Sequence, residues 1–466
     1  MTDSWATFGA DLHLEPVGRG LRSGLMEALR EAVRTGRLAP GTRLPSSRVL
    51  AADLGLARNT VADAYAELVA EGWLTARQGS GTRVAARAAP RRTGPAAVPS
   101  RPVRAGAGHN LKPGTPDLSG FPRTAWLRAA RKALTAAPDD AFGYGDPRGR
   151  VELRTVLAEY LARARGVYAD PERIVVCAGF AHGLALLGRV LRARRVREVA
   201  VESYGLDLHT ELLTDAGLRI PCLPLDERGA RTGDLAALRG VGAVLLTPAH
   251  QFPTGVPLHP DRRAAAVDWA RSTGGLILED DYDGEFRYDR QPVGALQGLD
   301  PEHVVHLGTA SKSLAPGLRL GWMVLPRSLG EEVVAAKGAA DRTIGTSDQL
   351  TLAEFIASGA YDRHVRSMRL RYRRRRDQLV AALAERAPGV RVSGIAAGLH
   401  AVLELPPGAE RSVVQAAAFQ GLALEGLDRY RHPDAAPGRD ALVIGYGSPW
   451  ESAWTGALEA LCRVLP

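Results

Sequence analysis

From His109 onward the chain alternates helical stretches with short, β-branched apolar runs: Ile174 to Cys177, Val199 to Glu202, Ala243 to Thr247, Leu276 to Glu279, Val304 to Leu307 and Leu320 to Leu325. Runs that are apolar at nearly every position belong to strands covered on both faces, and strands separated by helix-length segments pair in parallel. The pattern predicts an α/β domain with a mainly parallel, helix-covered sheet. A chain of 466 residues exceeds the usual span of one core, so a second domain is expected.

That second domain lies at the N-terminus. Leu21, Leu25, Leu29 and Val33 recur at helical spacing and stop at Thr35-Gly36. Ser46 or Ser47 can cap a second helix through Val49, Leu50 and Leu54, which Gly55 ends, and a third carries Val61, Tyr65 and Leu68 to Gly72. Trp73 to Ala76 and Thr82 to Ala85 read as two short strands joined by a tip at Arg77 to Gly81. Helix, turn, helix and wing is a nucleic-acid-reading order. Arg58, Asn59 and Thr60 stand at the start of the recognition helix, where side chains meet base edges, while Arg43, Arg48 and Arg77 can neutralise phosphates. A small helical docking domain with solvated arginines is the alternative, which the wing disfavours.

Residues 86–108 are dominated by Ala, Pro, Gly and Arg without apolar periodicity and read as a linker. The expected division is 1–85 for the DNA-binding domain and 109–466 for the α/β domain. No run reaches the 18 to 20 apolar residues of a membrane helix, and the first residues lack a secretory pattern, so a cytoplasmic location is expected. Cys177, Cys222 and Cys462 are too few and too far apart for a disulfide framework or a zinc site. The net charge of +9 suits a polyanionic partner but is weak support alone.

Almost all the positive charge is arginine. Lys112, Lys132, Lys312 and Lys337 are the only lysines, and Lys312 sits after a strand in Gly308-Thr309-Ala310-Ser311-Lys312-Ser313, followed by Arg319. A carbonyl cofactor held as a Schiff base needs a fixed amine, with hydroxyl and guanidinium donors for its phosphate. Thr309, Ser311 and Arg319 can supply them. At another strand end stands Leu278-Glu279-Asp280-Asp281-Tyr282-Asp283, and ligand groups of open parallel sheets collect at such ends. Asp280 can keep a pyridine nitrogen protonated and Tyr282 can face the ring oxygen. Alone, the acidic cluster reads as a solvated loop or a divalent-metal site; its pairing with Lys312 favours the cofactor.

Two families share these features. The run from Gly41 to Val84, with Leu44-Pro45-Ser46-Ser47-Arg48, Arg58-Asn59-Thr60-Val61 and Gly72-Trp73-Leu74, resembles the GntR-type winged helix. The resemblance implies DNA contacts from Arg48, Arg58, Asn59, Thr60, Gln78 and Gly79, although Ala57 replaces the usual hydroxyl cap. From Leu111 on, the lysine and acidic motifs, Thr247 to Gly255 and Phe142 to Gly149 resemble the fold-type I aminotransferases, which are dependent on pyridoxal 5'-phosphate (PLP). That likeness implies a large-domain sheet with a smaller C-terminal α+β part. It makes Lys312 the Schiff-base lysine, Asp280 and Tyr282 the ring partners and Tyr204 the stacking aromatic. Arg319 and Thr309 become phosphate ligands, joined by backbone amides of Phe180 and Ala181 after Gly179.

Two departures matter. Phe252 replaces the family's Asn before Pro-Thr-Gly, which leaves His250 or Gln251 to compensate. The arginine that clamps a substrate carboxylate is not evident in Asp440 to Gly447, and Arg429, Arg431 and Arg439 remain open candidates. Without that clamp, turnover loses orientation while cofactor capture does not, so sensing is expected over catalysis. The arginine run from Arg363 to Arg376 reads as a solvated helix face or, less simply, a second DNA-tracking surface. The order of domains resembles the MocR subfamily of GntR regulators and implies a PLP-bound homodimer, with head-to-tail exchange of DNA-binding domains allowed by the linker. A working aminotransferase with a DNA-binding tail, and a scaffold that no longer binds cofactor, are the rival readings.

Overall fold

The structure, a computed structural model, describes residues 20–77, 81–86, 108–288, 293–340 and 343–466. The chain divides into two compact units, Met1–Val103 and Arg104–Pro466. Gln78, Gly79 and nearly all of the expected linker lie outside the described residues.

The first unit packs the helices Leu21–Arg34, Ser47–Leu54 and Arg58–Ala70 against an antiparallel pair of strands, Leu74–Arg77 and Gly81–Val84. Its core is Leu25, Leu29, Val33, Leu50, Val61, Leu68, Leu74 and Val84. The expected stripe faces inward at Leu25, Leu29 and Val33, joined by Met26 and Ala32, while Leu21 at the start of the helix is 61% exposed. Ser46 caps the second helix by accepting from Val49 N at 3.3 Å, and Gly55 ends it at φ 64°. Ala57, with no side-chain oxygen, leaves the recognition helix uncapped.

The second unit is built on a seven-stranded sheet ordered Ile174–Cys177, Gly321–Val324, Val304–Thr309, Leu276–Asp281, Val241–Leu246, Glu198–Glu202, Cys222–Leu223. All neighbours pair in parallel except Gly321–Val324, which is antiparallel to both of its own. Every strand expected from the apolar runs is present. The strands Ile174–Cys177, Leu276–Asp281 and Val304–Thr309 are buried throughout, as strands covered on both faces must be. A smaller four-stranded antiparallel sheet, ordered Arg391–Ser393, Ala401–Glu404, Ala441–Ile444, Glu425–Gly426, forms the C-terminal α+β part. Its core includes Leu403, Leu442, Tyr446 and Trp454 together with Tyr372, Leu379 and Leu383 of the long helix Ala360–Arg386.

That helix settles the arginine run, which is neither a plain solvated face nor a continuous basic surface. Arg375 is 1% exposed and donates to Asp117, Glu451 and the carbonyls of Tyr446 and Pro449. Arg371 joins it on Asp117 and Arg374 on Glu451, so one side of the run locks the helix to buried Asp117 and exposed Glu451. Arg366 and Arg373 remain exposed. Among the described residues no helix is long and apolar enough to cross a membrane.

Candidate functional site

Parallel pairing of Leu276–Asp281 with Val304–Thr309 aligns Asp280 with Leu307 and Asp281 with Gly308. The acidic motif and the lysine loop therefore leave the sheet side by side, at the strand ends. A cavity of about 560 Å³ opens there, and Phe180, Ala181, Tyr204, Asp280, Tyr282, Thr309, Ser311, Lys312 and Arg319 all line it. Residues from five separate segments converge as the sequence motifs require.

The acidic run splits by role. Glu279 is fully buried and accepts from Leu296 N and Gln297 N at 2.6 and 2.9 Å, which holds a loop in place. Asp281 is forked by Arg165 at 2.6 and 2.8 Å, and Asp283 lies 2.8 Å from His250 Nδ1. Asp280 differs: its Oδ1 is buried without any hydrogen-bond partner. Burial drives its carboxyl well above the usual range; the neighbouring Lys312 opposes that shift, and Asp281, Asp283 and Glu202 add to it. A buried acceptor with no donor is costly, and a protonated ring nitrogen would satisfy it.

Lys312 reaches the backbone carbonyl of Gly114. Burial pulls its amine below the ordinary lysine range, and Asp280 and Asp283 pull it partly back. Tyr282 is held 3.1 Å from His250 Nδ1, and burial, then the charge of Asp283, keeps its phenol protonated well above the usual range. Thr309 Oγ1 lies 2.9 Å from Ser311 Oγ and accepts from Ser311 N at 3.1 Å, so the two hydroxyls form one cluster.

Facing that cluster is the start of the helix Phe180–Ala193, which no side chain caps. Its first amides are free to receive an anion. Gly179 precedes them at φ 83° and ψ 175°, and an added Cβ would stand 3.3 Å from Arg319 Nη1. Arg319 itself takes a left-handed φ of 53° and donates Nη2 to Ala178 O. Free helix amides, a guanidinium, two hydroxyls, an amine and an orphaned carboxyl oxygen are the donor set that PLP requires, so the residues fit the cofactor.

Phe252 stands in the cavity wall edge-on to Tyr282 and Tyr430, with ring centroids 6.1 and 5.1 Å apart. The expected compensation fails for Gln251: its amide holds Glu202, Thr254 and the carbonyls of Tyr204 and Phe252, which leaves nothing for a ligand. His250 does not line the cavity; its Nδ1 lies 2.8 Å from Asp283 Oδ2 and 3.1 Å from the Tyr282 hydroxyl. Of the three open arginines, Arg429 and Arg431 line the cavity and Arg439 does not. Each of the two is already paired, Arg429 with Asp207 and Arg431 with Asp428. Within Asp440 to Gly447 the site side is apolar: Ala441 and Val443 cluster with Val402 and Tyr430 beside Tyr204 and Phe252.

Three cavity residues escaped the sequence reading. Glu202 accepts from Thr247 N and Oγ1 at 3.1 and 2.6 Å, and burial pushes its carboxyl up to about 7. His209 packs on Phe180 with centroids 4.6 Å apart, and burial, then Lys312, pushes it down to about 4. His400 donates from Nε2 to Pro253 O, 3.0 Å away. None belongs to a motif, and only the strand-end position of Glu202 could have flagged one of them.

In the N-terminal unit Arg43, Arg48, Arg58 and Asn59 are exposed and Thr60 is half-buried. Arg30, by contrast, is forked onto Glu71, and Arg34 pairs with Glu27. Charge on the first helix is thus spent internally, while Arg48 and Arg58 form no ion pair among the described residues and are available to phosphate or base edges.

Fold and site together define a winged helix-turn-helix unit carried on a chain whose larger unit has the aminotransferase fold. The description "Aminotransferase class I and II" matches residues 110–427, and "Bacterial regulatory proteins, gntR family" matches residues 21–84. The chain belongs to the GntR transcription regulators of the MocR kind. It is 33% identical over 434 residues to the HTH-type pyridoxine biosynthesis transcriptional regulator PdxR of Corynebacterium glutamicum, covering 91% of each protein. The probable rhizopine catabolism regulatory protein MocR of Rhizobium meliloti is 32% identical over 446 residues, 91% of this chain and 89% of that one. A multiple substrate aminotransferase from Thermococcus profundus superposes with a TM-score of 0.70 at 25% identity, over 78% of this chain and 92% of its own.

Proposed function

We propose that the protein regulates transcription in response to PLP, held as a Schiff base on Lys312, or to an amine or amino acid captured on it. The observation that carries this reading is the orphaned Asp280 Oδ1 in the same cavity as Lys312, Arg319 and an uncapped helix start. Asp280 serves the ring nitrogen, Tyr282 the ring oxygen, and Tyr204 the ring face. Arg319, Thr309, Ser311 and the amides of Phe180 and Ala181 serve the phosphate. The bound group would supply an electron-withdrawing ring and a reversible amine trap.

Sensing is favoured over turnover because Arg429 and Arg431 are tied to Asp207 and Asp428. An incoming carboxylate has to compete with one of these pairs, which converts binding into movement of the cavity mouth more readily than into a preorganised reaction geometry. In this reading Arg43, Arg48, Arg58, Asn59, Thr60, Gln78 and Gly79 contact a double-stranded operator, residues 86–108 connect the two domains, and the protein acts in the cytoplasm as a homodimer, head-to-tail, on paired half-sites. Genes of vitamin B6 or amine metabolism are the targets.

Borohydride reduction in the presence of PLP should fix the label on Lys312, and Lys312→Ala should lose both the label and the effect of PLP on operator affinity. Label elsewhere, or an operator affinity indifferent to PLP in the intact protein, overturns the reading. The aminotransferase fold and complete cofactor donor set also support a second reading, an active aminotransferase; sustained conversion of an amino donor and a keto acid would establish it, whereas a half-reaction that stalls would not.

A further inference from the structure

A second cavity, of about 600 Å³, lies among the helices Val151–Arg165 and Ala360–Arg386 and the segment 284–288. It shares no lining residue with the cofactor cavity. Its wall carries Arg163, Arg165, Arg287, Arg366 and Arg369 against two carboxylates, Glu285 and Asp362. Arg165 is spent on Asp281, and Arg163 pairs with Asp362 at 2.8 Å. Among the described residues Arg369 donates only to a neutral acceptor, the Glu285 carbonyl, at 2.9 and 2.6 Å, so no carboxylate offsets its charge. Arg366 has no partner among the described residues. Burial, then the charge of Asp281, pushes the Glu285 carboxyl up to about 7, so near neutrality it returns only part of a negative charge. Arg366 and Arg369 thus present two guanidinium groups that no carboxylate pairs among the described residues, which matches a small polyanion in charge and in hydrogen-bond geometry. A recess of about 600 Å³ suits a small molecule.

Two connections join this wall to the cofactor pocket. Arg165 holds Asp281, the peptide neighbour of Asp280. Gly284 makes room for that fork, since a Cβ there would stand 2.5 Å from the Arg165 guanidinium. Glu285 Oε1 lies 3.1 Å from the Tyr361 hydroxyl, which lies 2.8 Å from the hydroxyl of Ser313, the neighbour of Lys312.

We propose that this cavity is an effector site for a small molecule bearing two or more negative charges, as phosphate or carboxylate, and that its occupancy biases the Asp280 and Lys312 pocket through Arg165 and Glu285. The binding half stands independently of the function proposed above; the coupling half rests on it. Full-length protein saturated with PLP, which blocks the cradle at Arg319, is titrated calorimetrically with pyrophosphate and with citrate against chloride of equal ionic strength. Saturable binding of at least one is expected, weakened by about tenfold or more in Arg366→Ala and unchanged in Arg373→Ala. Pyrophosphate alone assigns a phosphate ligand and citrate alone a carboxylate. No binding of either, or binding indifferent to Arg366→Ala, overturns the site. Should the protein take up no PLP, titration of Arg319→Ala keeps the cradle out of the measurement, so failure of the cofactor reading and failure of this site are told apart. Occupancy should also shift the half-saturating PLP concentration by about fivefold or more in the intact protein and not in Arg366→Ala, by reciprocity of linkage. An unshifted PLP titration overturns the coupling.

Discussion

Replacing Gly179 with alanine tests the cofactor cradle at its tightest point. A φ of 83° with ψ 175° is a conformation essentially closed to residues that carry a Cβ, and imposing it costs about 1 to 3 kcal/mol. The chain can escape that cost only by turning the peptide. The turn would displace Ala178, whose carbonyl receives Arg319, and would swing the first amides of Phe180–Ala193 off the phosphate position. Each charge-assisted hydrogen bond so lost is worth about 1.5 to 3 kcal/mol. Even without a turn, the new methyl would press on Arg319 Nη1 at 3.3 Å. Cofactor-free Gly179→Ala should therefore lose about 1 to 2 kcal/mol in denaturant melts, and its PLP dissociation constant should rise about tenfold or more, the equivalent of one such bond. Gly330→Ala is the control, because it lies in the helix Arg327–Ala340 with nothing within 4 Å of the added Cβ. It should gain up to about 1 kcal/mol, the helix preference for alanine, and leave PLP binding alone. A Gly179→Ala protein that binds PLP as tightly as the parent would refute the placement of the phosphate at this helix start.

Other expectations concern charge. Arg58→Ala should cost about 1 to 3 kcal/mol of affinity for a selected operator duplex in a gel-shift titration, whereas Arg30→Ala, whose guanidinium is forked onto Glu71, should not change it. In denaturant melts Arg375→Ala should cost about 2 to 4 kcal/mol, because it leaves the buried carbonyls of Tyr446 and Pro449 without this donor and Asp117 with Arg371 as its remaining ion-pair partner, while Arg373→Ala should stay within about 0.5 kcal/mol. Glu202 titrates near 7 when folded, against 4.5 ordinarily, so the folded state binds the extra proton and this group's contribution to stability falls as pH rises from 4.5 through 7. Glu202→Gln should remove that loss, worth at most about 3 kcal/mol, so melts at pH 8 should favour the variant relative to melts at pH 5. An unchanged pH profile would show that Glu202 is not the buried acid responsible.

Much of the fold is legible from residue order because the relevant physics is local. Six apolar runs became six strands, since a run apolar at every position has no face to offer water. Ser46, Gly55 and the Asp280 and Lys312 motifs sit where capping and strand-end rules place them. Ala57 was read as a missing cap and is one. The phase of the first helix is legible at Leu25, Leu29 and Val33, whereas Leu21 fits the stripe but stands at the helix end in solvent.

The arginines mark the limit. Arg366, Arg373 and Arg375 are equivalent letters in one run, and helical periodicity separates them only into faces. Tertiary structure brings Asp117, 258 residues away, under Arg375 and leaves Arg366 facing a cavity. Likewise Gln251, an apparent substitute for the missing Asn, is consumed by Glu202 and backbone carbonyls that only the folded chain presents. The sequence by itself determined the two domains, the strands and the residues that converge on the cavity at the strand ends, because periodicity and strand-end position are properties of neighbouring residues. Which charges are neutralised and which are left to bind a ligand was decided by the tertiary structure alone, because an ion pair depends on the register between segments that the chain order does not bring together.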